Sequence, residues 1–367
     1  MSLVIFFALL LVIPSSLLAT DAKPRWQVEW EKTLAAAEAE GPAVIYSYPG
    51  ATRLPIDAGV FQKKFPKIKV VVVLGDAVQR ILSERRAGKY LADVYMGGPT
   101  TGVDLALAKA LDPMRDAMLL PEVLDESKWW GAKHYYTDPE KKYAFSYIGR
   151  PGASDGSYNP NLVNPREFQS LWDFLNPKWK GKISARDIRT PGQGQTTIRM
   201  FYYHPKLGPE FTRRLFGEMG ITLFRDPRQG VDWLVSGKYP LCFFCPNSEV
   251  GRAQRQGLPI EGFGLMEGAA NISSASGNVG FVSRAPHPNA GKVFLNWLLS
   301  REGQIVAQTE YAKAMTGASN SRRIDIPKDM IPASDRLQDG VEYMEVETLP
   351  LEPVMKVFNE ALAKAGR

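Results

Sequence analysis

Three neighbouring segments decide the fold. The first is Ile68-Lys69-Val70-Val71-Val72-Val73-Leu74-Gly75-Asp76. The second is Ala77-Val78-Gln79-Arg80-Ile81-Leu82-Ser83-Glu84-Arg85-Arg86-Ala87-Gly88, and the third is Asp93-Val94-Tyr95-Met96-Gly97-Gly98-Pro99. Residues 68–74 are almost continuously β-branched, the pattern of a strand covered on both faces, and Gly75 stops it. The next segment has a helical period. Val78, Ile81 and Leu82 share one side, Arg80, Glu84 and Arg85 the other, and Gly88 suits the C′ position. Residues 93–96 read as a further strand. Strand, helix and strand with short links imply a parallel sheet with right-handed crossovers.

Upstream, residues 43–48 form a short apolar strand ending in Pro49-Gly50. An amphipathic helix follows, with Ile56, Val60, Phe61 and Phe65 on one face and Gln62, Lys63 and Lys64 on the other. In such sheets ligands bind beyond the carboxyl ends of the strands. That description fits the loops at 47–53, 75–77 and 97–101. From about residue 158 the pattern restarts. Strands are expected at 182–184, 221–224 and 241–244, and helices at 195–203, 226–236 and 248–256. Residues 278–283 look like a strand running back, and 288–300 like a helix with Val293, Phe294, Trp297 and Leu298 inward. The last part of 341–363 reads as a docking helix. Two α/β halves with the chain crossing between them suggest a cleft at their interface, where ligand sites are favoured.

The whole chain has 367 residues, 44% hydrophobic and 23% charged, a composition that excludes a disordered chain, a collagen-like repeat and a polytopic membrane protein. Its 45 Lys and Arg against 39 Asp and Glu leave +6, too small a surplus to imply nucleic acid. The three histidines (His134, His204, His287) and two cysteines (Cys242, Cys245) do not supply a His/Cys metal site. Residues 3–13 are all apolar, Pro14 breaks the run, and Ser15, Ser16 and Ala19 are small. This is the h-region and cleavage region of a secretory signal, with Ala19 and Ala22 as cleavage positions. The basic n-region of such signals is missing, and a retained anchor is the alternative.

Several segments carry a resemblance. They are Tyr46-Ser47-Tyr48, the Arg80 to Gly88 helix before Ala92-Asp93-Val94, and Tyr158-Asn159-Pro160. Asn176-Pro177-Lys178-Trp179-Lys180-Gly181-Lys182-Ile183 and Ala285-Pro286-His287-Pro288-Asn289-Ala290 follow, then Phe294-Leu295-Asn296-Trp297-Leu298-Leu299-Ser300-Arg301-Glu302-Gly303-Gln304. With them the chain resembles the extracellular solute-binding proteins of ABC importers, in the ferric-binding and polyamine-binding branch. The resemblance implies a two-lobed α/β periplasmic-binding-protein fold of type II, with a mainly parallel sheet in each lobe and a hinge of two or more crossing strands. It implies a periplasmic, non-enzymatic protein that closes on a small solute and delivers it to a membrane permease. The expected division is a signal peptide at 1–22, a first lobe at 23–150, a second at 151–277, a return to the first at 278–330, and a C-terminal helical segment at 331–367. A monomer without cofactor or nucleic-acid partner is expected.

Ferric members of this branch hold iron with adjacent tyrosines after the strand that here reads 241–244. This chain has Phe243-Phe244-Cys245-Pro246-Asn247 there, and phenylalanine offers no oxygen to Fe(III). The other pair, Tyr202-Tyr203, falls inside a helix and reads as packing plus an exposed hydroxyl. An organic anion is the alternative solute, phosphorylated, phosphonate-bearing or a carboxylate. The loop Thr190-Pro191-Gly192-Gln193-Gly194-Gln195-Thr196-Thr197 precedes a helix, whose free N–H groups and positive dipole end favour an anion. Thr100 and Thr101 open a helix in the first lobe in the same way. Each loop reads equally as a cap alone or as a cap with a ligand. Arg53 and Arg228 are candidates for bidentate pairing, or solvated helix residues. Asp76 would meet a ligand amine or cap the next helix. Ser47 and Tyr48 offer hydroxyls, while Phe243, Phe244 and Asn247 would give the second-lobe wall an apolar face with one polar contact.

Cys242-Phe-Phe-Cys245 lies in a strand, whose alternation sends the two side chains to opposite faces. The reading therefore favours two free, partly buried cysteines; a disulfide requires a sharp turn at Phe244. Trp129-Trp130 and Tyr135-Tyr136 read as lobe packing, with sugar stacking as the alternative. Phosphate-loop, His-Glu-x-x-His and Gly-x-Ser-x-Gly motifs are absent. The competing readings are a ferric-binding protein with other oxygen ligands and, in another class, an exported two-domain hydrolase.

Overall fold

The computed structural model describes residues 23–48, 51–152, 156–190, 193–264, 266, 270–275, 277–314 and 320–366. The expected signal peptide at 1–22 lies outside these residues.

The chain enters through helix α1 (Arg25–Glu40) and strand β1 (Ala43–Ser47). Two short helices, α2 (Leu54–Asp57) and α3 (Val60–Lys64), replace the single amphipathic helix expected there. Gly59 separates them at φ 70°, a left-handed conformation that glycine adopts without steric cost. Strand β2 (Val70–Leu74), helix α4 (Ala77–Arg86), strand β3 (Val94–Gly97), helix α5 (Pro99–Leu107) and strands β4 (Leu111–Asp112) and β5 (Phe145–Ser146) follow. Two short helices, α6 (Met114–Ala117) and α7 (Pro121–Leu124), lie between the last two strands. The β-branched run is an edge strand: the sheet order begins β2-β1-β3, and Val71 and Leu74 are exposed. A continuous apolar run says how well a strand suits a sheet; here it does not tell an edge from a centre.

Strand β6 (Arg150–Gly152) leads to a second sheet that begins with β7 (Gly156–Tyr158) and β8 (Ile183–Arg186). Helices α8 (Gln193–Tyr203) and α9 (Gly208–Glu218) precede β9 (Thr222–Phe224), α10 (Pro227–Val235), β10 (Leu241–Phe243), α11 (Asn247–Arg255) and β11 (Glu261–Gly262). The order is β11-β7-β10-β8-β9, with β8, β9 and β10 parallel. Strand β12 (Ala270–Ser273) returns the chain to the first sheet, where β13 (Asn278–Val282) lies antiparallel to β3. Helix α12 (Pro288–Leu299) covers that sheet, α1 packs on α12, and α13 (Arg301–Lys313) packs on α12 and α2. Strand β14 (Tyr343–Met344) and helix α14 (Glu352–Lys364) end the chain. The expected docking helix is α14: Val354, Phe358, Ala361 and Leu362 enter the core of the second lobe against α9.

Two segments of the resemblance meet in the first lobe. The buried Asp93 carboxylate accepts from the backbone N–H groups of Val44 and His287, each at 2.7 Å. Burial raises its pKa, and those hydrogen bonds pull it back. Buried Asn296 likewise accepts from the N–H groups of Leu119 and Leu120, at 2.7 and 3.0 Å. These motif residues hold the lobe together; they do not touch the strand-end loops described below.

The lobes are joined by a small sheet of its own, in the order β14-β12-β6. β6 leaves the first lobe, β12 returns antiparallel to it, and β14 passes to α14 in the second lobe. The hinge therefore carries three crossings of the chain.

Candidate functional site

β1, β2 and β3 are parallel, so Ser47, Leu74 and Gly97 end on one edge of the first sheet. Asn278 pairs with Gly97 and joins that edge. Buried Ser47 places its hydroxyl 2.5 Å from Thr52 Oγ1, which donates to the Tyr48 carbonyl at 2.9 Å. This loop therefore spends its hydroxyls on itself, while Tyr48 stands 67% exposed. Arg53 gives its fork to Asp57, at 2.7 and 2.9 Å. Asp76 caps α4 by accepting from the Gln79 N–H at 3.0 Å. At the start of α5 Thr100 is exposed, and Thr101 and the Gly98 carbonyl hold the buried Tyr95 hydroxyl. A Cβ on Gly102 would stand 2.2 Å from Asn278 Oδ1, so the bare backbone lets α5 begin tight against the sheet.

Arg186, Phe224 and Phe243 end the parallel strands of the second sheet on one edge. Asp187, 2% exposed, accepts from Arg189 Nε and Nη2 at 2.8 and 2.7 Å and from Arg225 Nε at 3.3 Å. Burial pushes its carboxyl up, but the two arginines hold it below its ordinary value. The Gln195 side chain donates to the Ile188 carbonyl at 3.0 Å and ties the loop to α8. A Cβ on Gly194 would lie 3.2 Å from Phe244 Cβ, so glycine lets α8 start close against the end of β10. Thr196 is half-buried. Gln193 and Asn247 open α8 and α11, and their side chains lie outside the described residues. Arg228 follows the Asp226 cap of α10, with Nε 3.7 Å from Asp232 Oδ2.

The Cys-Phe-Phe-Cys segment departs from its sequence reading twice. Cys242 and Cys245 form a disulfide, where free thiols were favoured. Phe244 sits at φ 60°, which supplies the sharp turn the bridge requires and brings the two sulfurs together. Phe243 and Phe244 are fully buried against Phe174, Phe201 and Phe216, so they belong to the lobe core and form no apolar ligand wall. Tyr203 donates to the Pro350 carbonyl at 2.9 Å, so its hydroxyl is engaged with the C-terminal segment. Trp129 packs in the core on Phe145, as lobe packing requires.

Topology thus sets the eleven candidates at or after the carboxyl ends of the parallel strands of two mixed sheets. It gives Arg53, Asp76 and Ser47 partners within their own loops.

A second cluster escaped the sequence reading, at the junction of hinge and first lobe. Arg322, 2% exposed, donates from Nε to Ile148 O at 2.8 Å and to Ser146 Oγ at 3.1 Å. Its guanidinium lies 3.9 Å from the centre of the Tyr135 ring. Its Nη1 has no partner among the described residues. Burial lowers its pKa to about 10. Glu347 accepts from the Ser274 N–H at 2.9 Å, Ser274 Oγ at 2.5 Å and Ser273 Oγ at 3.1 Å. Burial raises its carboxyl above the ordinary value, against the pull of Ser274 and Arg322. Lys133 meets Glu345 at 2.5 Å, and Arg199 donates to the Leu349 carbonyl at 2.9 Å. Residues 345–350 are therefore fastened to the first lobe, the hinge and the second lobe in turn. The contacts span 73 to 212 residues of chain, and no local pattern announces them.

Among the described residues no cluster of three or more His, Cys, Asp or Glu side chains could hold a metal ion. No helix there is long and apolar enough to cross a membrane.

No family model matches the sequence, and no curated protein matches it either. Solved structures do match. The Trichodesmium protein IdiA (FutA), in complex with iron and citrate, is 18% identical with a TM-score of 0.67, over 88% of this chain and 99% of that one. The Actinobacillus pleuropneumoniae periplasmic binding protein AfuA, with fructose-6-phosphate bound, is 17% identical with a TM-score of 0.61, over 89% and 99%. The spermidine/putrescine ABC transporter substrate-binding protein PotD of Streptococcus pneumoniae is 11% identical with a TM-score of 0.61, over 89% and 99%. The fold is that of the two-lobed periplasmic substrate-binding proteins of ABC transporters.

Proposed function

We propose that this chain is the periplasmic solute-binding component of an ABC importer and that its solute is a small organic anion. In this reading residues 23–150 and 278–330 make one lobe, 151–277 the other, and the anion sits between them. The observation that carries the reading is the placement of three helix starts, α5, α8 and α11, at the carboxyl ends of parallel strands in both sheets. Their free N–H groups and positive dipole ends suit a phosphoryl, phosphonate or carboxylate group. Thr100, Thr101, Gln193, Gly194, Thr196 and Asn247 supply those helix starts, and Tyr48 is exposed just after the end of β1. Arg53 and Arg228 face Asp57 and Asp232 and are secondary candidates. A solute touching both lobes favours the closed state, because only there does it make both sets of contacts. Closure bends three strands together, and the loaded protein, a monomer, then docks on its permease.

The ferric reading draws no support from Phe243 and Phe244, which are buried in the lobe core. The test is a Gln193→Ala, Thr196→Ala double variant, titrated by calorimetry with the solute that co-purifies with the protein. The reading expects affinity to fall by about 10-fold or more. Unchanged affinity would remove the second-lobe helix start from the site.

A further inference from the structure

The edge of the first sheet opposite the strand-end loops carries a cluster of positive charge that solute capture does not use. Helix α4 starts at the ligand edge and runs back, so Arg85, Arg86, Lys89 and Tyr90 lie where β3 begins. β13 is antiparallel to β3, which brings Ser283 and Arg284 to the same edge. β4 pairs antiparallel with β13, so Lys109, just before β4, arrives there too. Direct contacts confirm the grouping. Arg85 donates to Ser283 Oγ at 2.6 Å and to the Lys109 carbonyl at 3.1 Å. Arg284 donates to the Tyr90 hydroxyl at 2.7 Å. The guanidiniums of Arg85 and Arg284 lie 5.5 and 5.1 Å from the centre of the one Tyr90 ring. Leu82, Arg85, Arg86 and Tyr90 line a shallow, open hollow.

Among the described residues Arg85, Arg86, Lys89, Lys109 and Arg284 form no ion pair. The nearby carboxylates are spoken for or too far: Glu84 serves Arg80 and Tyr46, Asp93 is buried on Val44 and His287, and Asp112 feels Arg85 only at a distance. Five like charges gathered without a counter-ion repel one another, and an anionic surface relieves that repulsion. Leu91 (47%), next to Tyr90 in sequence, and Leu107 (66%), two residues before Lys109, are exposed. Basic side chains interleaved with exposed leucines and an amphipathic ring suit a lipid interface, where apolar parts enter the headgroup layer and cations meet phosphate.

We propose that this edge docks on an anionic phospholipid surface, with lipid phosphate diesters as the groups it recognises. It leaves the opposite edge of the lobe free for solute, and it stands independently of which solute that is. The test is co-sedimentation of the full protein with vesicles of phosphatidylglycerol mixed into phosphatidylcholine, against pure phosphatidylcholine, at low and at physiological salt. Binding above the neutral-lipid level, weakened by salt, is expected. An Arg86→Glu, Lys89→Glu, Arg284→Glu variant should lose about 10-fold or more of that binding. A milder Arg86→Gln, Lys89→Gln variant should lose an intermediate share with unchanged thermal unfolding. Equal sedimentation with both vesicle types, sedimentation with neither, or an unaffected triple variant overturns the proposal. So does salt-sensitive binding of polyglutamate without vesicle binding, which would reassign the surface to acidic proteins.

Discussion

The strand-end loops and the hinge are built by opposite rules. In the loops most partners sit close in sequence: Ser47 with Thr52, Arg53 with Asp57, Asp76 with Gln79, Asp187 with Arg189 and Cys242 with Cys245, the pair of Asp187 with Arg225 being the longest reach. In the hinge they come from the whole chain: Arg322 with Ser146, Glu347 with Ser274, Lys133 with Glu345, and Arg199 with Leu349. A change in a loop is absorbed where it occurs. A change in the hinge is felt by both lobes, because its buried charges have no local substitute. Under the proposed function this divides the labour: loops choose the solute, and the hinge sets how readily the lobes close.

The largest effect that would sharpen this contrast is expected from Glu347→Ala. It strips three donors of a half-buried acceptor and removes the carboxylate that most supports the Arg322 charge, a loss of about 3 kcal/mol in urea unfolding. A loss below about 1 kcal/mol would put the hinge on the same footing as the loops. Replacing Cys242 and Cys245 with serine opens a very short covalent loop and should cost about 2 kcal/mol. Asp76→Ala removes one helix cap and should cost about 1 kcal/mol, with solute affinity little changed. The smallest effect is in pH dependence, where the two regions should have opposite signs. The hinge carboxyl Glu347 is raised above 4.5, so the stability of its protonated form is present below that pH and lost as pH rises through its folded value. Glu347→Gln should flatten that decline. The loop carboxyl Asp187 is held below 3.8, so its contribution is present above that pH and lost as pH falls through its folded value. Asp187→Asn should flatten the acid limb only. Slopes of the same sign in both regions would break the contrast.

The same divide separates what the sequence disclosed from what it did not. The alternation of β-branched strands and amphipathic helices from Val70 to Gly97 revealed the parallel sheet, and Asp76 and Gly88 marked a helix start and stop. These are short-range signals. The edge position of β2 depends on where the later strands join the sheet, β13 arriving about two hundred residues on, and its β-branched run carries no trace of that. The disulfide was hidden because Phe244 takes a left-handed conformation that strand alternation does not anticipate. Gly194 stands among the ligand candidates, and the structure adds a packing reason, closeness to Phe244 and Ile188. Arg322 sits beside Arg323 in a polar stretch that looks like surface, yet both are buried, Arg323 by pairing with Asp325 and Arg322 by the hinge. Buried charge assembled across distant segments has no sequence period, so the crossing strands were legible and this cluster was not.

A small organic anion is the solute proposed for the cleft. The most direct test of that proposal is native mass spectrometry of protein purified without refolding, followed by denaturation and identification of what is released. The account predicts a bound mass that leaves on denaturation and proves to be a phosphorylated, phosphonate or carboxylate compound. Release of iron with no organic anion would contradict it.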